Sequence, residues 1–152
     1  MTFTAGSNRV LRGAAAAALA TAAAIISPLA LPAANAAGCN DIEVVFARGT
    51  DEPPGIGRVG QAFVDSLRGK VGNRSLGVYA VNYPASYDFL AAANGANDAS
   101  AHIQYVMNTC PDTRLVLGGY SQGAAIVDLI TSVPFPAIGF NSPLRPDAPD
   151  HI

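Results

Sequence analysis

Charge, cysteine and histidine are all scarce in this chain, and each scarcity narrows what it can do. Asp, Glu, Lys and Arg make up 13% of 152 residues, with a formal net charge of −2. No Lys/Arg cluster stands out, so there is no electrostatic footprint for nucleic acid, and nothing points to such a partner. Cys39 and Cys110 are the two cysteines. A pair alone is too few for a metal centre, and in an exported protein it reads most simply as a disulfide. No metal and no cofactor are expected.

Export itself is read from the N-terminus. Arg9 and Arg12 give a positive start, Ala14 to Leu31 is uncharged and alanine-rich, and Ala34-Asn35-Ala36 places small residues where a signal peptidase reads them. Pro28 and Pro32 end the apolar run just before that site, which favours cleavage over a lasting membrane anchor. Residues 1–36 are therefore expected to be a signal peptide, residues 37–152 a single secreted domain, and stable membrane insertion is not expected after cleavage. No internal repeat and no linker to a second domain is visible.

Asp41 to Ala47 reads as a strand apolar enough to be buried on both faces. A turn-rich segment, Arg48 to Gly55, follows. Val59, Phe63 and Leu67 then recur at four-residue spacing, giving an amphipathic helix over Gly57 to Arg68. Leu76 to Tyr83 is a second strand, stopped at Pro84. A loop rich in Ala, Asn and Gly leads to a second helix in which Ala99, Ile103, Val106, Met107 and Cys110 share a face. Arg114 to Gly118 is a third strand, and a helix runs from about Ala124 to Thr131. The alternation predicts a three-layer α/β sandwich around a central parallel sheet, with its site at the strand C-termini. Cys39 and Cys110 would then lie at the opposite edge. From Ser132 on, five prolines break any regular element.

Gly119-Tyr120-Ser121-Gln122-Gly123 sits between the third strand and its helix. This is the G-x-S-x-G elbow, in which small residues two before and two after let a serine project from a sharp turn. Ser121 is the expected nucleophile. Such a serine needs a general base, and the base an orienting carboxylate, which in α/β hydrolases follow the serine acid first. Downstream lie Asp128, Asp147, Asp150 and His151. Asp128 is two turns into the elbow helix, where a solvated or capping role fits better, and the other three share a proline-rich tail with no strand to place them. His102 precedes the elbow and reads as a surface histidine on the second helix. The backbone N–H of Gln122 should be one oxyanion donor. The loop after the first strand offers Thr50 as the other, with an N–H and a hydroxyl, although position alone leaves a plain loop residue equally acceptable.

Phe46-Ala47-Arg48-Gly49-Thr50, Gly77 to Pro84 and Gly118 to Ala124 together resemble the bacterial branch of the cutinase family, in order and spacing, from about Cys39 to Ile152. The resemblance implies a secreted serine esterase acting on carboxylic esters such as cutin-like polyesters, acylglycerols or short-chain esters, without metal or cofactor. It assigns Ser121 as nucleophile, Thr50 and Gln122 as oxyanion donors, and Cys39 with Cys110 as the family's first disulfide. It also implies a continuation beyond a segment like Asp150-His151-Ile152: another core strand, a disulfide around the catalytic Asp, and a loop with the catalytic His. The sequence thus resembles the first two-thirds of such a domain, missing its C-terminal strands, and His151 aligns with a non-catalytic position. Two expectations follow: a cutinase-like esterase whose acid and base are absent from this sequence, or a secreted remnant without catalysis, acting at most as a surface or binding protein.

Overall fold

The computed structural model describes residues 1–2, 38–137 and 139–152. The expected signal peptide therefore lies, save for its first two residues, outside the described residues. Strands β1 (Ile42–Ala47), β2 (Leu76–Ala80) and β3 (Arg114–Gly119) form a parallel sheet in the order β2-β1-β3. Helices α1 (Gly57–Arg68), α2 (Ala92–Thr109) and α3 (Gln122–Ser132) follow the three strands in turn.

Strand alternation explains the layers, since successive side chains leave a sheet on opposite faces. Val44 and Phe46 meet Val64 of α1, with Ile56 and Leu67 packed beside them. Val45 and Ala47 face the other way, into the larger cluster with Ala99, Ile103, Val106 and Met107 of α2 and Ile126 and Ile130 of α3. One helix covers one face and two cover the other, the expected three-layer arrangement.

Four expectations need correction. Helix α1 has the expected bounds, but Val59 and Phe63 are each 39% exposed, and the residues turned fully inward are Gly60 and Val64. The Phe46 ring causes this: it lies 2.6 Å from where a Gly60 Cβ would stand, so the helix docks through its glycine. Strand β2 ends at Ala80 rather than Tyr83, because the Arg48 guanidinium takes the carbonyls of Val81 and Tyr83. The Ala-, Asn- and Gly-rich stretch expected as a loop is helical from Ala92, since Asp88 caps a short 3₁₀ turn, Phe89–Ala91, that runs straight into α2. The proline-rich tail does form one short element, the 3₁₀ turn Ala148–Asp150, and it puts Phe140 and Ala148 into the core.

Cys39 and Cys110 are bonded, with Cα atoms 5.6 Å apart, and tie the start of β1 to the end of α2. On the outer edge of β3, Leu115 N–H donates to the His151 carbonyl at 2.8 Å. Leu117 and Gly119, which face the same way by strand alternation, have no backbone partner there among the described residues.

Candidate active site

The elbow is forced by backbone geometry. Ser121 has φ 54° and ψ −117°, a region that non-glycine residues avoid and that costs on the order of 1–3 kcal/mol. Such a turn survives only if its flanks approach closely. A Cβ on Gly119 would stand 2.6 Å from the Ala124 nitrogen, and one on Gly123 would stand 2.6 Å from the carbonyl oxygen of Arg48. The obstacles are main chain and cannot swing aside, which is the physical content of the two glycines. Ser121 is exposed, so an external molecule can reach its hydroxyl.

Parallel pairing of Ala47 with Gly119 brings the loop after β1 beside the elbow, and Tyr120 N–H donates to the Ala47 carbonyl at 3.1 Å. That loop is held from both sides. The Arg48 guanidinium, 5% exposed, donates to the carbonyls of Glu52 at 2.8 Å and Tyr83 at 2.6 Å and lies over the Tyr83 ring. The Tyr83 hydroxyl returns a bond to the Arg48 carbonyl, and burial, chiefly, raises its pKa. The Glu52 carboxylate accepts from Gly49 N–H at 2.7 Å and from Arg58 N–H in the first turn of α1 at 3.0 Å, where an anion is favoured.

These supports place Thr50 against Gln122, with the Thr50 hydroxyl 3.3 Å from Gln122 Oε1. Gln122 opens α3, so its N–H has no intrahelical acceptor. Neither that N–H nor the N–H of Thr50 has a backbone acceptor among the described residues. Two uncommitted donors beside one exposed serine are what stabilising a carbonyl oxygen as it gains charge requires. The loop after β2 completes the wall: Gln122 Nε2 donates to the Ser86 carbonyl at 3.0 Å, and Asp51 N–H to the Ala85 carbonyl at 2.6 Å.

Both histidines of the sequence lie at the other end of the sheet. His151 meets Leu115 through its carbonyl, and His102 Nε2 pairs with Glu43, which is in register with Leu115. From Leu115 to Tyr120 a strand advances about 16 Å, so neither imidazole reaches Ser121. His102 is also not the surface residue expected: its side chain is 18% exposed and stacks on Tyr79 at 3.5 Å between ring centroids. Tyr79 in turn donates to Asp98, and burial together with that carboxylate pushes its pKa up to about 12. Asp147 pairs with Arg145, and the Asp150 carbonyl accepts from Arg114 at the start of β3. Asp128 is exposed and accepts from the Ser132 hydroxyl one turn on, the solvated alternative of the two roles expected of it.

Sequence reasoning missed Glu52, Tyr83 and Ala85 as parts of this wall. Glu52 and Tyr83 carry no local signature, because their partners lie on other elements. Ala85, at φ 51°, has no glycine or asparagine to announce its left-handed backbone.

The family profile described as Cutinase matches residues 38–152. The chain belongs to the cutinase family. It is 61% identical over 148 residues to "Phospholipase Culp4" of Mycobacterium tuberculosis (strain ATCC 25618 / H37Rv), a match covering 97% of this chain and 65% of that protein. It is 60% identical over 119 residues to "Carboxylesterase Culp1" of the same organism, covering 78% of this chain and 55% of the relative. The chain thus spans between half and two-thirds of the length of these relatives. Among solved structures, the catalytic core domain of acetyl xylan esterase from Trichoderma reesei superposes with a TM-score of 0.62 at 31% identity, covering 75% of this chain and 60% of that one. Trichoderma reesei cutinase in complex with a phosphonate inhibitor gives 0.54 at 47% identity, covering 59% and 42%. The α/β architecture shared with these neighbours agrees with the strand and helix order above.

Proposed function

We propose that this chain carries the nucleophile and oxyanion donors of a secreted serine carboxylesterase. Ser121 Oγ attacks the ester carbonyl, and the N–H groups of Gln122 and Thr50, with the Thr50 hydroxyl, receive the charge that develops on its oxygen. Collapse expels the alcohol, on whose oxygen the serine proton ends, and leaves an acyl-serine, which water then cleaves to the acid and free serine. The observation that carries this reading is the strained Ser121 backbone beside two uncommitted N–H donors. Cutin-like polyesters, acylglycerols and short-chain esters are the substrate class. Exposed Tyr87, Phe89 and Leu90, on the segment anchored through Ser86, support an apolar ester over a charged one. Cleavage of residues 1–36 and export are part of the proposal, supported by the disulfide. No described helix is long and apolar enough to cross a membrane.

The proton of Ser121 has no acceptor among the two histidines of this sequence. Triad members act as a unit, and an oxyanion hole without them retains a residual acceleration of roughly 10³–10⁴ over water. That placement favours, as the second reading, a secreted protein that turns over no ester by itself. Treating folded protein with a fluorophosphonate and measuring intact mass separates the two. One adduct per chain, lost in Ser121→Ala, supports the esterase site; folded protein that stays unmodified supports the second reading.

A further inference from the structure

The side chain of Gln122 has no role in the mechanism above, which uses only its backbone N–H. Yet it is 1% exposed, among the most buried polar side chains of the domain. Burying a carboxamide is costly unless both ends are paired, and here both are. A carbonyl oxygen accepts only from an N–H or O–H, so the bond to the Ser86 carbonyl fixes Nε2 on that side and turns Oε1 toward Thr50. The Thr50 hydroxyl is then the donor in the 3.3 Å contact. One amide therefore joins the loop after β1 to the loop after β2. A second link runs in parallel, from Asp51 N–H to the Ala85 carbonyl, between two non-glycine residues with positive φ, 63° and 51°.

We propose that the carboxamide of Gln122 is a positioning residue: it holds the Thr50 hydroxyl at the oxyanion site with its proton parked on Oε1. This rests on the esterase reading above. The parked bond is neutral and long, hence weak. A tetrahedral intermediate presents an anionic acceptor, and hydrogen bonds to charged groups are about twice as strong. The hydroxyl proton swings from Oε1 to the oxyanion as charge forms, and no covalent bond of the protein changes. The hydroxyl thereby contributes more to the transition state than to the bound ester, the condition for raising a rate rather than only tightening binding.

The test is a double-mutant cycle on the full chain with Thr50→Val and Gln122→Met, both near-isosteric, reading the second-order rate of fluorophosphonate attachment to Ser121. Thr50→Val should slow labelling about 10²-fold, and Gln122→Met about 10-fold through misplacement of the hydroxyl. The double variant should be no slower than Thr50→Val alone, because the amide acts through the hydroxyl. Thr50→Ser should restore the sensitivity to Gln122→Met. Independent, multiplying losses would overturn the proposal. A parent chain that does not label would defeat the esterase reading instead, and amide hydrogen exchange at Asp51 then decides the positioning role. Faster exchange in Gln122→Met supports the tie between the loops, and unchanged exchange overturns it.

Discussion

The two ends of the parallel sheet are built on different physical principles. At the strand N-termini the chain is held by a covalent bond and charged groups: Cys39–Cys110, His102 with Glu43, Arg114 with the Asp150 carbonyl, and Asp41 capping Ser75. At the C-termini around Ser121 the two elbow glycines are hemmed in by main chain, three non-glycine residues stand at positive φ, a buried amide joins the loops, and the charged groups, Arg48 and Glu52, bond main-chain groups rather than each other. The titratable imidazoles sit where stability is made, and the exposed serine sits where strain is stored. Substitutions at one end should therefore move stability and leave the chemistry of Ser121 alone, and substitutions at the other should move both.

The largest effect is expected at the first end. Replacing both cysteines by alanine releases a closed loop with a sequence separation of 71, worth about 4 kcal/mol on the chain-entropy model. The urea midpoint should fall accordingly, while the labelling rate of the protein that remains folded should not change. Next comes Gly123→Ala, whose Cβ meets backbone on the β1 side and should cost about 3 kcal/mol. Unlike the cysteine pair, it should also abolish labelling of Ser121 in whatever fraction folds. His102→Ala removes the partner of a poorly solvated Glu43 and the ring against Tyr79, and should cost about 2 kcal/mol in urea unfolding. Smallest is Asp41, whose carboxyl is held below its ordinary 3.8, first by the Ser75 backbone N–H. A depressed folded pKa gives a stabilisation fully present above about pH 3.8 and lost as pH falls through the folded value. Asp41→Asn should remove that contribution at neutral pH and flatten the acid limb of an unfolding profile, so that its deficit against the parent narrows as pH falls through the folded value.

How much of this was legible depends on how local each cause is. The order of strands and helices, and Gly57 to Arg68 as a helix to the residue, follow from hydrophobic period and glycine placement within a few positions. The elbow is equally local, since its two glycines answer to a turn of five residues. The inward face of α1 was misread because Phe46, eleven positions before its start, decides which helical residue must be a glycine. The end of β2 depended on Arg48 reaching carbonyls more than thirty residues away. His102 read as a surface residue because Glu43 and Tyr79, which half-bury it, come from two different strands. At the site, Ser121, Thr50 and Gln122 stand together, but the buried amide joining Thr50 to Ser86 exists only once β1, β2 and α3 are side by side.

The central proposal is that Ser121 faces the oxyanion donors Thr50 and Gln122, at the end of the sheet from which both histidines of the sequence are remote. The most direct measurement is the rate of fluorophosphonate attachment to Ser121 in folded His151→Ala and His102→Gln, each beside the parent chain. Both variants should label at the parental rate, even where His102→Gln lowers the urea midpoint. A drop in either on the scale of removing a general base, about 10²-fold or more, would contradict the claim and place that imidazole at the serine.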